Sequence, residues 1–332
     1  LDASAPAVIK YSSFLKKRQN TVASSVNAAP KYQYTLGLNG FSATLTGEQA
    51  QELNSDKNVL AVVPDERYSI TSLSNDFLGL SGDSGVWKQL GGTAEAGKGV
   101  VIGVIDTGIA PENPAFAGAP LGTTPGAEPY LDGNDVVFNK ADGGTFRSTR
   151  VNTGEQWDNS AYSTKLIAAN YFRASADSAA AGGQFTFGTA ATGEYRSPRD
   201  GDGHGSHTSS TAGGNFGVDT VVEGVPLGKF SGVAPAAKVA AYKACWSGPL
   251  VDSTDDDGCF GGDTLAALDR AIADGVDVIN FSIGGGAATS TFSIEDEAFL
   301  NAAAAGIFVA VSAGNSGPGA STADHGSPWY TT

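Results

Sequence analysis

Three short stretches carry side chains suited to acyl transfer. In Gly201-Asp202-Gly203-His204-Gly205-Ser206-His207-Thr208 a histidine stands between glycines, and small residues follow it. The apolar run Val100-Val101-Ile102-Gly103-Val104-Ile105 ends at Asp106. Ser312-Ala313-Gly314-Asn315-Ser316-Gly317 places an amide side chain just after another apolar run. A carboxylate can hold the Nδ1 proton of an imidazole, fixing its tautomer and stabilising the imidazolium formed when the ring acts as a base. An amide N–H can meet the oxyanion that develops on an attacked carbonyl. Each residue also has a purely structural reading: Asp106 as a turn acid holding the Gly108 amide, His204 as a packed histidine, Gly314-Asn315 as a turn.

Two other chemistries fit these residues less well. Asp106-Thr107-Gly108 is a triplet found in aspartic proteases, but two such carboxylates must share a proton, and the chain has one copy. His204 and His207 stand three apart, as in some metal sites. Zinc needs a third protein ligand, which neither the spacing nor the third histidine, His325, supplies. No catalytic metal is therefore expected, and His207 reads as a packed, hydrogen-bonded side chain. The stretch Asn280-Phe281-Ser282-Ile283-Gly284-Gly285 leaves a strand on consecutive glycines. Such an edge can pair with an extended peptide by strand addition, the alternative being an ordinary β-to-α turn.

These groups need a frame, and the pattern supplies one. Strands are expected over 165–172, 238–243, 276–281 and 307–311. Between the last of these fall an amphipathic helix over 263–273, with Leu265, Leu268 and Ile272 in phase, and a helix opened by Ser293 with Asp296 three residues on. Gly275 and Gly306 end the two helices. Repeated β-α-β units predict an α/β fold with a mostly parallel, doubly wound sheet. Reactive groups then belong beyond the carboxyl ends of the strands, where Asp106, Ser282 and Asn315 all fall.

A smaller α+β unit precedes this, over residues 1–75. It reads as a helix over 12–26 with Phe14, Leu15, Val22 and Val26 inward, then strands over 32–38 and 41–45 about the turn Asn39-Gly40. Thr46 caps a second helix, and 59–63 reads as a further strand before Pro64. Residues 67–99 read as a connector, with a cleavage junction around 70–75. Residues 173–194, rich in Ala, Gly and Ser, read as an exposed loop.

A chain of 332 residues with 41% hydrophobic content has room for a large domain and a small one. Its formal charge of −15 opposes binding to nucleic acid or anionic membrane. No run reaches the ~20 apolar residues of a membrane span. Cys245 and Cys259 are the two cysteines; a disulfide between them is expected, which fits an oxidising compartment, the alternative being two buried thiols. The acidic run Asp255-Asp256-Asp257 leaves calcium open, since carboxylates without a defined ligand loop usually face water. The chain contains no Met and no leader-like segment precedes it, so it reads as a processed or excised piece.

Together the stretches Val104-Ile105-Asp106-Thr107-Gly108-Ile109, Gly203-His204-Gly205-Ser206-His207-Thr208, Asn280-Phe281-Ser282-Ile283-Gly284-Gly285 and Ala313-Gly314-Asn315-Ser316-Gly317 resemble the subtilisin-like serine proteases (subtilases). Leu78-Gly79-Leu80 after Asp76-Phe77, with Ser327-Pro328-Trp329, is similar to the secreted group that includes cucumisin. The resemblance implies that residues 76–332 are the N-terminal part of a catalytic domain. In it Asp106 orients the imidazole, His204 is the general base, Asn315 serves the oxyanion, and Ser282-Ile283-Gly284 lines the non-prime substrate cleft. It also implies that residues 1–75 are an inhibitory and chaperoning prodomain, short of its first strand. The protein would be a secreted endopeptidase that hydrolyses protein or peptide substrates through an acyl-enzyme, with no cofactor needed for the chemistry. The family's nucleophile lies in a Gly-Thr-Ser motif that is not among these residues, and Ser316 is not its substitute. The 332 residues alone are therefore expected to be inactive until joined to the rest of the catalytic domain. A noncatalytic peptide-binding protein on the same scaffold is the second reading.

Overall fold

Apolar runs alternating with helical patterns build a parallel sheet in the computed structural model, which describes residues 3–65, 67–70, 78–222, 225–251, 253–288, 290 and 293–332. The N-terminal unit contains α1 (Pro6–Ser25), β1 (Tyr32–Tyr34), β2 (Gly40–Ser42), α2 (Gly47–Asn54) and β3 (Arg67–Ile70), and the short α3 (Val86–Gln89) follows. Next are β4 (Val101–Asp106), a meander of β5 (Tyr130–Asp132), β6 (Asp135–Asn139) and β7 (Thr145–Thr149), and the small pair β8 (Thr153–Gly154) and β9 (Trp157–Asp158). Then come β10 (Leu166–Tyr171), α4 (Ala174–Ala181), α5 (His204–Gly213), the hairpin of β11 (Val218–Val222) and β12 (Val225–Phe230), and β13 (Lys238–Lys243). The remainder comprises β14 (Cys245–Trp246), β15 (Gly258–Phe260), α6 (Gly261–Asp274), β16 (Val278–Phe281), β17 (Ile283–Gly284), α7 (Ile294–Ala304) and β18 (Phe308–Val311).

The central sheet has the order β10-β13-β4-β16-β18, and every neighbouring pair is parallel. All six residues of β4 are buried, because helices cover both faces. Val101 and Ile105 join the core beneath α6 and α7, with Leu268, Ile272 and Phe299. Ile102 and Val104 join the opposite cluster, against which Ala212 of α5 packs. Residue pairs Asp106–Lys243 and Ile105–Phe281 are in register, so the carboxyl ends of β4, β13 and β16 lie along one edge. That is the doubly wound arrangement expected from the pattern.

The N-terminal unit departs from its sequence reading in several places. α1 starts at Pro6, and Leu15 and Val26 are buried while Phe14 is 55% exposed. β1 and β2 are shorter than expected because the chain between them bonds to helices instead. The amides of Leu36 and Gly37 both donate to Asp269 of α6 at 2.9 Å, and the Gly37 carbonyl accepts from Asn301 of α7. Thr46 does cap α2, through a reciprocal pair with Gln49. Residues 59–63 do not form a strand: Leu60 is 85% exposed, and the Val62 amide donates to Asn54. An extended segment without a neighbour to accept its main-chain groups has nothing to hold it as a strand.

Residues 67–70, read as connector, are instead a strand in the sheet β14-β15-β3-β17. The expected junction at 70–75 and the pair Asp76-Phe77 run through residues 71–77, outside the described set. Residues 173–194 are not a bare loop either. Asp263 accepts from the first amides of α4, Ser175 and Ala176, at 3.0 Å each. Beyond the helix Phe185 packs with Trp246 and Phe260. Cys245 and Cys259 form a disulfide across the paired strands β14 and β15. A closed loop of this size adds about 3 kcal/mol in the chain-entropy picture. The acidic run serves this loop: Asp256 accepts from the Leu250 amide and Asp257 from the Gly248 amide.

Burial pushes the Asp263 carboxyl up to about 6, against the lowering effect of its amide partners. A carboxyl with a raised folded pKa contributes stability that is complete below its unfolded value, near 3.9, and lost as pH climbs through the folded one. Denaturant midpoints between pH 4 and 7 should therefore show the wild type losing stability relative to Asp263→Asn as pH rises to about 6.5; parallel curves would contradict this.

Candidate active site

Asp106 is the last residue of β4 and is 1% exposed. A buried carboxylate needs donors, and three converge on it. The Thr107 amide donates to Oδ1 at 2.7 Å and the Thr208 hydroxyl to Oδ2 at 3.0 Å. Nδ1 of His204 lies 2.8 Å from Oδ1 and 3.0 Å from Oδ2. The carboxylate thus fixes the Nδ1–H tautomer of His204, which leaves Nε2 as the basic nitrogen.

His204 opens α5, and the N-cap Gly203 takes φ of 102°, a left-handed conformation that suits glycine. The helix approaches the Asp106 turn so closely that a Cβ on Gly205 would strike the backbone of Gly108. The Gly205 amide donates to the Thr107 hydroxyl at 2.7 Å. Glycine at 205 is therefore a steric requirement of this contact, and glycine at 203 a conformational one.

A second carboxylate, Asp200, joins the two halves of the site. Its Oδ1 accepts from the Thr107 hydroxyl and the Gly203 amide, both at 2.9 Å. Its Oδ2 accepts from the amide and hydroxyl of Ser206, at 2.8 and 2.6 Å. The Asp200 amide in turn donates to Ile109. One residue therefore ties the turn after β4 to the first turn of α5. Farther out, buried Lys243 at the end of β13 donates to Glu194 at 2.5 Å and to the Arg199 carbonyl at 2.9 Å, anchoring the segment that leads into the helix.

The structure places the other sequence candidates at the same sheet edge. Ser282 follows β16 and accepts from Asn280 at 3.0 Å. Asn315 follows β18 and is exposed, as is Ser316. Ile283 and Gly284 form β17, which pairs antiparallel with β3: Ile283 with Ile70, Gly284 with Ser69. On the other side of β3, Cys259 pairs with Tyr68 and Phe260 with Arg67. An extended segment is thus held between two edges. Sequence reading found β17 but not β15, nor Asp200, Thr107 and Thr208, whose polar side chains have no distinguishing spacing. His207 is half-buried in α5 and does not touch the Asp106 carboxylate. Among the described residues, no group of three or more His, Cys, Asp or Glu side chains could hold a metal ion.

The subtilase family model matches residues 97–331 of this chain. The chain belongs to the subtilase family. Peptidase inhibitor I9 matches residues 4–71, so the catalytic-type fold is preceded by a prodomain of that kind. Subtilisin-like protease SBT1.6 of Arabidopsis thaliana is 39% identical over 303 residues, 90% of this chain and 35% of that protein. Subtilisin-like protease SBT2.5 of the same plant is 33% identical over 348 residues, covering all of this chain and 38% of that protein. This subtilase chain therefore spans about a third of the length of the curated relatives it matches. Among solved structures, fervidolysin from Fervidobacterium pennivorans aligns at 15% identity with a TM-score of 0.48, over 91% of this chain and 39% of that one. No described helix is long and apolar enough to cross a membrane.

Asp200→Ala removes the acceptor for four donors and should let His204 drift. The Nδ1–H proton of His204 should then exchange with solvent roughly tenfold faster, and Asp200→Asn should recover part of the protection. NMR exchange rates beside a melting curve would distinguish this from general unfolding.

Proposed function

We propose that this chain is the prodomain, residues 1–75, and the N-terminal part of the catalytic domain, residues 76–332, of a secreted serine endopeptidase of the cucumisin-like group. The observation that carries the reading is the short Asp106–His204 bond at the carboxyl edge of a parallel sheet, beside two strand edges that already embrace an extended segment. In this reading the substrate takes the place of residues 67–70, with Ser282, Ile283 and Gly284 along one side. A serine from outside residues 1–332 supplies the nucleophile. Its Oγ attacks the scissile carbonyl carbon while Nε2 of His204 takes its proton, and Asp106 stabilises the resulting imidazolium. The side-chain amide of Asn315 donates to the oxyanion. His204 then gives the proton to the leaving amine, and water repeats the sequence to free the acid. The chemistry needs no cofactor.

Inhibition by the prodomain follows from the same geometry. Strand β3 fills the cleft, and the rest of the unit is clamped to α6 and α4. Tyr34 donates to the Gly262 carbonyl at 2.8 Å, the Ala174 amide donates to Tyr32 at 2.8 Å, and the Gly262 amide donates to Asp65 at 2.9 Å. The disulfide across β14 and β15 suits an extracellular location.

A fluorophosphonate should label one serine in the processed full-length protein, and His204→Ala should abolish the labelling. The isolated 1–332 chain should take no label, and Ser316→Ala should leave labelling of the full-length protein intact. A folded, processed protein that binds peptide but never labels would establish the noncatalytic reading instead. Added in trans, the first unit should inhibit peptide hydrolysis, and Asp269→Ala on the protease should weaken that inhibition about tenfold or more by stranding the Leu36 and Gly37 amides.

A further inference from the structure

We propose that Asp202 is a positioning residue for proton transfer at His204: its carboxylate fixes the first turn of α5 and its charge favours the imidazolium. This deepens the peptidase reading, in which His204 must hold a proton, and rests on it.

The need arises from where the histidine stands. His204 is the first residue of α5. The amides at the start of a helix point out of it and together act as roughly half a positive charge, which opposes protonation of a ring beside them. A base that must become a cation is thus set at the less favourable end of its helix. Carboxylates counter this. The Gly203 amide donates to Oδ1 of Asp200 at 2.9 Å, the His204 amide to Oδ1 of Asp202 at 2.9 Å, and the Ser206 amide to Oδ2 of Asp200 at 2.8 Å. The Gly205 amide reaches Asp200 through the Thr107 hydroxyl, over bonds of 2.7 and 2.9 Å. The His207 amide donates to the Gly203 carbonyl, and from there the helix bonds to itself. Two acids therefore receive the open amides where the imidazolium forms, in addition to its direct partner Asp106.

The three carboxylates differ in surroundings. Asp106 and Asp200 are buried, whereas the side chain of Asp202 is exposed and holds the amide of the histidine itself. Partial loss of hydration raises the Asp202 carboxyl above its ordinary value, and the bond from the His204 amide pulls it back. The charges of Asp200 and Asp106 raise it further, while that of His204 lowers it. Attraction between two charges is mutual, so the carboxylate that His204 stabilises also stabilises the charged ring. Two cations flank this turn, and each already has an acid: Arg199 donates to Glu112 at 2.7 Å and Lys243 to Glu194 at 2.5 Å. Along α5 itself the other titratable side chain is His207.

The test follows the imidazole resonances of the 1–332 chain by NMR over about pH 5 to 9, with His204 identified by the signal lost in His204→Ala. Asp202→Asn keeps an oxygen for the His204 amide and removes the charge. Its His204 midpoint should fall by about half a pH unit at low salt, while His325, bonded to the Ile283 carbonyl, stays in place. Because Asp202 is exposed, about 1 M salt should close most of that gap, whereas a changed geometry would survive screening. A His204 midpoint that stays put, one that moves together with His325, or a gap that persists in high salt overturns the proposal. If the variant does not fold, the wild type decides alone: salt should lower the His204 midpoint more than that of His325, and equal shifts overturn the proposal. No substrate or nucleophile takes part, so this outcome is separate from fluorophosphonate labelling. A chain that titrates as expected, from a protein that never labels, keeps the role of Asp202 at the ring and loses the peptidase reading.

Discussion

A carboxylate shut away at the end of a buried strand is tolerable only if donors surround it. Asp106 obtains them from three places: the Thr107 amide of its own turn, the hydroxyl of Thr208 in α5, and the imidazole of His204. Two of these lie about a hundred positions away, so satisfying this one group fixes how α5 must sit on the sheet. Much of the local sequence then follows. Glycine at 205 permits the contact, glycine at 203 turns the chain into it, and Asp200 bonds to both sides. The energetic demand of a buried charge and the geometric demand of an acid–imidazole pair are met by the same atoms.

The cleft obeys a different constraint, the main chain's need for partners. β15 and β17 each present an unpaired edge, and β3 satisfies both at once. Pairing of this kind does not depend on side chains, which is why one groove can hold a segment of its own chain and, in the proposed function, a substrate. The rest of the prodomain is held by side-chain acceptors on α6, chiefly Asp269, whose carboxyl burial pushes upward in pKa. Cleft and docking face therefore use separable interactions, main-chain pairing in the one and side-chain acceptors on the other.

Polar groups in the interior support this frame instead of weakening it. Lys243 and Glu194 are both nearly inaccessible, and such a pair gains little net stability because each ion must leave water. Their service is geometric: Glu194 also accepts from the amides of Tyr195 and Ser247, and Lys243 donates to Arg199. The segment leading to His204 is thereby fastened to the strand beside β4. The Cys245–Cys259 disulfide likewise ties β14 to the strand that forms the far wall of the cleft.

Local pattern determined the parallel sheet, its helices and the acid–histidine pair. Strand runs such as 238–243, the box of Ser293 with Asp296, and the helix-ending Gly275 act on near neighbours, so composition and spacing suffice to read them. The glycine-flanked His204 was legible for the same reason, since close backbone approach demands small residues in sequence. Tertiary structure alone decided the rest. Residues 59–63 had the composition of a strand and found no partner, while 67–70, only four residues inside a Ser- and Asp-rich stretch, found two. Asp200 looks like a surface loop acid until folding brings Thr107 to it. Main-chain pairing and polar satisfaction depend on which atoms arrive from distant sequence, and no local period encodes that arrival.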